Sequence, residues 1–528
     1  MRPRATQYNP SVKMTGAECL LRTLLKNGVN VCFMNPGTSE MQFVAALDRV
    51  SGMRPVLGLF EGVCSGAADG YARMTRKPAA TLLHLGPGLG NALANFHNAR
   101  KARSPIVNVV GDHATAHQAF DAPLSADVPA FARTVSDWVH IAGSASEMGS
   151  LATKTVEAAL GPPGQVATLI VPADFSWNEA GEVGGAANIA SRARATTGDL
   201  ENAASILREL GPAAAVLIGG ETVVDAGLKA AERIAKGSGA RLFYDRNTSR
   251  SALGRGRFAP QRVAYFPEKA EAQFKGLRHV MLIEAKAPVS FFAYPGRKST
   301  LLPDDCAVTV LAGVAGDGIY ALEALADCFP VPKFAFERRD RVHSVHSQES
   351  LTTETIGRAI VFHLPEGAII CDEMVSSSEA VVPLLGMANQ HDFLPVTGGS
   401  IGQGLPLAVG AAVACPDRKV VALEADGSGM YTLQALWTMA REKLNVTVVI
   451  FANRRYRILD VEMKRTGAGE LGPLANQMLD LGRPDLDWVK LAEGLGVEAS
   501  RATTTREFDD QFQATLKANG PRLVEAVL

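Results

Sequence analysis

One acidic residue, one asparagine and two small residues are spaced so that they could hold a metal ion beside a phosphate group. Asp426 comes shortly after the apolar segment 420–423 and directly before Gly427 and Ser428. A carboxylate at this position can bind Mg²⁺, and the backbone N–H groups after it would face a phosphate at the N-terminus of a helix predicted over 431–441. Taken alone, Asp-Gly-Ser is also a common turn.

The position of Asn453 favours the metal-binding interpretation. It follows Asp426 by 27 residues, which leaves room for one helix and for the apolar segment 446–451. Asn453 is therefore predicted at the same strand-end edge of a parallel sheet as Asp426, where α/β proteins collect their ligands. Carboxylate, amide and carbonyl oxygens are the ligands that Mg²⁺ prefers. Both side chains are predicted metal ligands.

A second group of residues could move protons. Glu61 stands between an apolar segment and the small-residue stretch 62–73, so its carboxylate is poorly solvated and needs a partner. A helix N-terminal acid is the simpler explanation, and a bond to a cofactor is the functional one. His84 ends another apolar segment before a glycine turn, where it is either structural or a general acid and base.

A pair of histidines, His113 and His117, follows the apolar segment 106–110. Their spacing alone would allow a metal pair, but no third ligand is evident in the sequence. They are predicted to be either surface residues or substrate contacts.

The elements that must position these residues follow an alternating pattern. Apolar, β-branched segments alternate with Ala-, Leu-, Glu- and Arg-rich segments of helical period, which predicts an α/β protein with doubly wound, mainly parallel sheets. The predicted buried strands are 106–110, 166–171, 214–218, 279–283, 368–371, 420–423 and 446–451. A Gly-, Ala-, Ser- and Thr-rich stretch at 178–197 and a polar stretch at 334–350 divide the chain into three predicted domains, 1–178, 195–340 and 350–528.

Composition excludes several classes of partner and site. Lys and Arg number 53 against 54 Asp and Glu, with no basic stripe, so neither nucleic acid nor a membrane surface is an expected partner. The seven cysteines are scattered without a CxxC pair, which argues against a disulfide framework or a structural zinc site. The sequence has no long apolar run and no apolar leader, and a cytoplasmic protein is the expectation.

Taken together, these motifs resemble those of the thiamine diphosphate enzymes, in particular benzoylformate decarboxylases and acetolactate synthase large subunits. That family has Glu before a small-residue helix ending in ADGYAR, here at 61–73, and GDG followed later by Asn, here at 425–427 and Asn453. Ala425 replaces the first glycine of GDG. The resemblance covers all three predicted domains and implies the order pyrimidine-binding, central and diphosphate-binding.

The resemblance also implies roles for individual residues. Glu61 would bond to the aminopyrimidine ring of thiamine diphosphate and activate the cofactor. Asp426, Asn453 and the backbone carbonyl of Arg455 would hold Mg²⁺. The remaining implied cofactor contacts are Gly427 and Ser428 at the diphosphate, the carbonyl of Gly399 at the amino group of the pyrimidine, and Ile401 as a prop beneath the bent cofactor. Ser376 is a candidate diphosphate ligand or a helix N-cap, and the alternative for Ile401 is an ordinary core residue.

Some motifs resemble the benzoylformate decarboxylases more closely, and others resemble the acetolactate synthases. His84 and the Asn-Pro-Gly turn that carries Thr38 resemble the benzoylformate decarboxylases, with Thr38 in the place of an active-site serine. The second histidine of those enzymes is replaced by Ala293 here, and His113 and His117 are candidate substitutes. The Gly-Pro-Gly turn at 86–88 resembles the acetolactate synthases instead, although the motifs expected for FAD are absent, so FAD is not expected.

The expected function is therefore thiamine diphosphate- and Mg²⁺-dependent C–C bond cleavage in a small 2-oxo acid. Decarboxylation of the benzoylformate type is the first expectation. An acetolactate synthase-like carboligase and a non-catalytic thiamin-fold binding protein are the alternatives. The resemblance implies a homodimer or homotetramer with active sites at subunit interfaces, and the sequence does not name the acyl substrate.

Overall fold

The computed structural model describes residues 14–329 and 347–528. By compactness the described residues separate into two units: the first comprises 14–100 with 104–189, and the second comprises 101–103 and the described residues from Ala190 onward. The predicted break at 334–350 and the domain end at residue 340 lie mostly or wholly outside the described residues. The three-domain division therefore stays a prediction.

The first unit contains a parallel sheet with the strand order β2-β1-β3-β4-β6-β5. Its strands are β1 (Val31–Asn35), β2 (Arg54–Leu57), β3 (Ala79–His84), β4 (Ile106–Asp112), β5 (Trp138–Ile141) and β6 (Val166–Pro172). Its helices are α1 (Gly16–Lys26), α2 (Met41–Arg49), α3 (Glu61–Thr75), α4 (Leu85–Ala102), α5 (Val128–Arg133), α6 (Met148–Leu160) and α7 (Ala173–Trp177). The strand β6, which lies between β4 and the edge strand β5, is buried along its whole length, as expected of a parallel sheet with helices on both faces.

The second unit holds two further sheets, of which the first has the parallel order β10-β8-β7-β11-β12. The strands of this part of the chain are β7 (Ala214–Ile218), β8 (Arg241–Tyr244), β9 (Ser251–Leu253), β10 (Gln261–Arg262), β11 (His279–Ile283) and β12 (Ala307–Ala312). The helices are α8 (Thr197–Leu210), α9 (Asp225–Ser238), α10 (Pro267–Phe274) and α11 (Gly318–Asp327).

The other sheet of the second unit has the order β17-β18-β16-β15-β13-β14-β9, and β9 joins it antiparallel to β14. Its remaining strands are β13 (Ala368–Glu373), β14 (His391–Pro395), β15 (Val420–Ala425), β16 (Val446–Ala452), β17 (Glu498–Ala502) and β18 (Arg522–Val527). The helices are α12 (Thr353–His363), α13 (Ser378–Leu385), α14 (Gly404–Ala414), α15 (Asp426–Gly429), α16 (Ala435–Arg441), α17 (Arg457–Arg465), α18 (Pro473–Leu479), α19 (Trp488–Gly494) and α20 (Thr505–Lys517).

The predicted fold class, α/β with three mainly parallel sheets, is confirmed, and each predicted strand lies within a strand of the structure. The helix predicted over 431–441 is wrong at its start, because α16 begins at Ala435 and a separate short helix starts at Asp426. Between them, the Thr432 hydroxyl donates to the carbonyl of Gly402 at 2.9 Å, which ties this segment to the glycine-rich segment before α14. None of the helices in the described ranges has both the length and the apolar character needed to cross a bilayer.

Candidate active site

Glu61 begins α3 at the carboxyl edge of the first sheet, and its side chain is 8% exposed. Two side-chain amides donate to its carboxylate: Asn35 Nδ2 lies 3.2 Å from Oε1, and Asn91 Nδ2 lies 2.9 Å from Oε2. Asn35 ends β1 and Asn91 belongs to α4, so neutral groups from two elements hold this acid. Both interpretations of Glu61 from the sequence, helix N-terminal acid and cofactor ligand, are compatible with this position.

His84 ends β3 and is held by a carboxylate. Its Nδ1 lies 2.8 Å from Oε2 of Glu40 and 3.2 Å from Oγ of Ser39. With Nδ1 donating to Glu40, Nε2 is left to exchange protons with a ligand. The close fit needs glycine at Gly37, because a Cβ there would lie 2.3 Å from the imidazole ring. His84 is therefore fixed in orientation.

Glu61 and His84 both border the same glycine. A Cβ on Gly88 would lie 3.4 Å from Glu61 Oε1 and 3.4 Å from His84 Cβ, so the two predicted catalytic side chains flank one backbone position. Leu85, directly after His84, has a φ of +48°, a strained conformation of the kind found at functional sites. Thr38 is exposed at the start of a single 3₁₀ turn in the same loop as Glu40.

The histidines after β4 form a ring contact and not a metal cluster. The centroids of His113 and His117 are 5.2 Å apart, and no group of three or more potential ligands occurs among the described residues. Asp112 accepts hydrogen bonds from the His113 N–H and the Gln118 side chain, and burial raises its pKa. Roles for His113 and His117 in substrate contact stay a prediction.

In the second unit, Asp426 and Asn453 follow neighbouring parallel strands, since β15 pairs with β16 up to Ala425 and Phe451. The Asp426 carboxylate is 2% exposed and accepts from the N–H groups of Gly427 at 2.9 Å and Arg454 at 2.5 Å. Burial raises its pKa to about 6. A buried carboxylate held only by neutral donors would be stabilised by a cation.

The loop after Asn453 is fixed in a tight turn. The N–H of Arg455 donates to Asn453 Oδ1 at 2.9 Å, and the N–H of Arg457 donates to the Arg455 carbonyl at 2.8 Å. Arg454 adopts a φ of +56°. The Arg455 guanidinium pairs with Asp460, and not with the groups of the predicted metal site. The Asp426 carboxylate, the Asn453 amide and the Arg455 carbonyl are oxygen donors of the type that fits Mg²⁺.

A cavity of about 530 Å³ in the second unit brings together three of the predicted cofactor contacts, Ser376, Gly399 and Ile401. Ile401 is half-buried at the cavity wall, so its interpretation as an ordinary core residue is wrong. Ser376 lies within a 3₁₀ turn and Ser377 is the N-cap of α13, so the N-cap interpretation of Ser376 is also wrong. Val375 has a φ of +51°, which is strained for a β-branched residue.

Gly399 is required by the packing as well as by the backbone. Its φ is +75°, and a Cβ would lie 2.5 Å from the ring of Phe291, which lines the same cavity. Ala293, at the place of the second histidine of the benzoylformate enzymes, is exposed and does not line this cavity. At Gly427, a Cβ would lie 2.6 Å from the Tyr456 ring, so this backbone also needs glycine.

Two buried carboxyl groups lie behind the predicted diphosphate residues. Glu373 and Glu424 are partners in register on β13 and β15. Burial raises the pKa of Glu373 to about 7, and burial together with the charge of Glu373 raises the pKa of Glu424 well above its usual range. Glu373 accepts from the N–H groups of Gly402 and Gly404, and Glu424 accepts from the Ser428 hydroxyl at 2.5 Å. Through these hydrogen bonds Glu373 holds the glycine-rich segment 402–404, and Glu424 holds Ser428. Both segments would surround the cofactor.

The site residues missed from sequence are Asn35, Ser39, Glu40, Asn91 and the Glu373–Glu424 pair. The Asn-Pro-Gly-Thr-Ser-Glu turn contained three of them, but sequence spacing does not show which side chains turn toward His84. Glu424 stands two residues before Asp426, and an acid inside an apolar strand was the available signal.

Two family models match the chain. The model described as "Thiamine pyrophosphate enzyme, N-terminal TPP binding domain" matches residues 14–131, and the model for the C-terminal TPP binding domain matches 377–526. The first range contains Glu61 and His84, and the second contains Asp426 and Asn453.

Individual relatives span nearly the whole chain. "Putative acetolactate synthase large subunit IlvX" of Mycobacterium tuberculosis is 48% identical over 98% of this chain and 99% of that protein. Benzoylformate decarboxylase of Pseudomonas aeruginosa is 28% identical over 95% of this chain and 96% of that protein. The structure of a thiamine diphosphate-dependent 4-hydroxybenzoylformate decarboxylase from Rhodococcus jostii RHA1 has a TM-score of 0.84 and 24% identity, over 97% of this chain and 99% of that one, which supports the fold.

Proposed function

Because the chain belongs to the thiamine pyrophosphate enzyme family, we propose that it is a thiamine diphosphate- and Mg²⁺-dependent enzyme that acts on a small 2-oxo acid. The observation that carries the proposal is that one chain has both a buried, amide-bonded Glu61 and a buried Asp426 beside Asn453. When bound, thiamine diphosphate supplies an electron sink for breaking the bond next to the substrate carbonyl.

We assign the cofactor contacts to the second unit as follows. The Asp426 carboxylate, the Asn453 amide oxygen and the Arg455 carbonyl would hold Mg²⁺. The N–H groups of Gly427 and Ser428 would face the diphosphate. Ser376, Gly399 and Ile401 line the cavity that would take the rest of the cofactor and the substrate.

The proton-handling residues belong to the first unit. Glu61, kept in place by the amides of Asn35 and Asn91, would exchange a proton with the aminopyrimidine ring. His84, oriented by Glu40, would exchange a proton with the substrate, and the Thr38 hydroxyl would bind the substrate carboxylate. General acid–base catalysis of this kind contributes roughly 10²–10⁴-fold.

For the reaction itself, we propose carboligation of the acetolactate synthase type. The support is the 48% identity with the M. tuberculosis protein over nearly the whole of both chains, against 28% for the benzoylformate decarboxylase. The sequence alone favoured decarboxylation, and this comparison changes the order of the two candidates.

Decarboxylation of the benzoylformate type is the second candidate. It is favoured by His84, whose Nδ1 bond to Glu40 orients a proton donor next to Glu61. A proton delivered to the reacting carbon gives an aldehyde, whereas a second carbonyl compound at that carbon gives a hydroxyketone product. A non-catalytic binding protein remains the third alternative.

Product analysis separates these candidates. The purified protein is incubated with pyruvate and with benzoylformate, with and without thiamine diphosphate and Mg²⁺, and the products are identified by chromatography. Acetolactate from pyruvate supports carboligation, whereas acetaldehyde or benzaldehyde without a coupled product supports decarboxylation. Cofactor binding without turnover of any 2-oxo acid in a wider panel would contradict both enzymatic candidates.

We further propose that the active form is a homodimer or homotetramer with active sites at subunit interfaces. Glu61→Gln and Asp426→Asn proteins, each of low activity alone at limiting Mg²⁺, are mixed under conditions that exchange subunits. If each active site takes Glu61 and Asp426 from different subunits, the mixture regains activity, because a mixed dimer has one intact site. An inactive mixture, with exchange verified by mass spectrometry, would contradict a shared site.

A further inference from the structure

The cavity that holds Ser376, Gly399 and Ile401 has a pair of arginines in its wall. Arg246 and Arg262 line this cavity and also a second one of about 370 Å³. Neither arginine is among the residues that the family resemblance places at the cofactor. Arg246 follows β8 by two residues, and Arg262 ends β10. These strands are neighbours, with Arg262 in register with Tyr244, which brings the two arginines together.

The pair is held by backbone and aromatic contacts. Arg262 donates from Nε and Nη2 to the carbonyl oxygen of Arg246, at 3.3 and 2.9 Å. The Arg246 guanidinium lies 5.3 Å from the centroid of the Tyr265 ring, and that of Arg262 lies 5.3 Å from the Phe393 ring. These contacts fix the direction of both side chains without neutralising their charge.

Among the described residues, a single carboxylate forms an ion pair with the two arginines, and it does not balance their charge. Glu379 lies 3.1 Å from Arg246 and 3.7 Å from Lys269, so one acid serves two cations. Within the described residues, Arg262 forms no ion pair. The other acid acting on Arg246 is Asp372, whose oxygens already accept from the Met374 N–H and the Ser378 hydroxyl.

Burial, followed by the charge of Arg262, lowers the pKa of Arg246. Two guanidinium groups in a partly desolvated wall repel each other, and an anion between them would remove that cost. A guanidinium fork also matches the two oxygens of a carboxylate in geometry.

We infer that Arg246 and Arg262 bind a second anionic group of the substrate, so that the 2-oxo acid carries a further carboxylate or a phosphonate at its far end. Tyr265, Phe266, Phe291 and Phe292 line the same cavity and would cover the carbon chain between the two ends. The inference rests on the proposed function, since that function places a 2-oxo acid in this cavity.

The test compares substrates that differ only in the second anion. The kcat/KM of the cofactor-loaded enzyme is measured for 2-oxoglutarate against 2-oxopentanoate, for 2-oxoadipate against 2-oxohexanoate, and for 3-phosphonopyruvate against pyruvate. The wild-type enzyme is expected to prefer the doubly anionic member of at least one pair, and the preferred pair distinguishes carboxylate from phosphonate and sets the chain length.

Variants assign that preference to the arginines. In Arg262→Gln, the ratio of the two kcat/KM values is expected to fall by about tenfold or more, the value of one charge-assisted hydrogen bond. Arg262→Lys keeps the charge but loses the guanidinium fork, so its ratio of kcat/KM values is expected to lie between those of the wild-type protein and of Arg262→Gln. The matched control is Arg233→Gln, a surface arginine of α9 paired with Asp327, which should keep the wild-type ratio.

A ratio unchanged in Arg262→Gln, or a wild-type preference for the singly anionic acids, would overturn the inference. If Arg262→Gln does not fold, as judged by circular dichroism, the same comparison is made with Arg262→Lys and Arg246→Lys. If the wild-type enzyme turns over no 2-oxo acid, the proposed function fails. Glutarate binding to the wild-type protein and to the arginine variant, measured by calorimetry, then tests separately whether the arginines bind an anion. Glutarate binding that is about tenfold weaker in the variant supports the site, and equal or absent binding overturns it.

Discussion

In the first unit, Glu61 accepts its hydrogen bonds from the side-chain amides of Asn35 and Asn91, whereas in the second unit Asp426 accepts from the backbone N–H groups of Gly427 and Arg454. Both carboxylates are buried at the carboxyl edge of a parallel sheet. Side-chain amides can rotate as the charge of the acid changes, but backbone donors stay in place. The first arrangement therefore suits an acid that exchanges a proton, and the second suits an acid that keeps its charge on a metal ion.

The surroundings of the two carboxylates extend the contrast. Beside Glu61 lies His84, a second group that can exchange protons, oriented by Glu40. Behind the residues around Asp426 lies the Glu373–Glu424 pair, which fixes glycine-rich backbone through hydrogen bonds. We therefore propose that the region around Glu61 exchanges protons and that the region around Asp426 holds charge and shape.

The largest expected effect comes from Glu61, in the region proposed to exchange protons. Glu61→Gln keeps the size of the side chain and removes the acid, so turnover should fall by roughly 10²–10⁴-fold. Mg²⁺ binding, measured by calorimetry in the presence of thiamine diphosphate, should remain, because the metal donors are unchanged. The control is Asp48→Asn, an exposed acid of α2, with wild-type activity expected. Loss of Mg²⁺ binding in Glu61→Gln would contradict the proposal that Glu61 exchanges a proton while Asp426 holds the metal.

A smaller effect is expected for Asp426, the proposed metal ligand. Asp426→Asn removes the charge but keeps one oxygen and the overall shape, so Mg²⁺ affinity should fall by about 10–100-fold, the equivalent of losing one contact of a charged group, with activity recovering at high Mg²⁺. Asp417→Asn, an exposed acid close to the start of β15, is the control. If activity fell while the Mg²⁺ titration midpoint stayed constant, Asp426 would not be a metal ligand.

The sequence predicted the positions of the site residues better than their hydrogen-bond partners. In the second unit, Asp426 and Asn453 follow long apolar segments that end at one sheet edge, and strand periodicity is enough to bring such positions together. The partners of the carboxylates were not predictable in either region. Asn91 contacts Glu61 from a different helix, and Glu373 meets Glu424 through the register of two strands, so both contacts depend on tertiary packing.

The neighbours of two site glycines were also not predictable from the sequence. Gly37 was visible in the Asn-Pro-Gly turn and Gly399 as an implied cofactor contact, but the structure is needed to show which side chain approaches each of them. At Gly37 this is the His84 ring, and at Gly399 it is the Phe291 ring in the cavity wall. Sequence predicts that the backbone needs freedom at such positions, and the structure identifies the neighbour that needs the space.

A third prediction tests the orienting role of Glu40 in the first region. Glu40→Gln weakens the bond to His84 Nδ1, so kcat should fall by on the order of tenfold with a smaller change in KM. The matched control is Glu147→Gln, because Glu147 has the same position in a capping box of another 3₁₀ turn in this unit. Equal losses in both variants would mean that Glu40 acts through the stability of its turn and not through His84.

The smallest expected effect concerns stability in the second region. Burial raises the pKa of Glu373 to about 7 from an ordinary value near 4.5, so the folded protein favours its protonated form. The stability that Glu373 contributes is therefore present at low pH and is lost as the pH rises from about 4.5 through about 7. Glutamine stays neutral at every pH. The melting temperature of Glu373→Gln, measured relative to that of the wild-type protein, should therefore rise by on the order of a few degrees between pH 5 and pH 8.

Circular dichroism melting curves of the cofactor-free protein measure this difference, with Glu493→Gln, an exposed acid of α19, as the control that should show a constant difference. A constant difference for Glu373→Gln as well would mean that the buried pair does not take up a proton on folding. In that case the hydrogen bonds from Gly402 and Gly404 would stabilise a charged Glu373, and the second region would hold a further fixed negative charge close to the diphosphate residues. Such a charge would oppose an anionic cofactor, so the sign of the pH dependence bears directly on how this region accepts it.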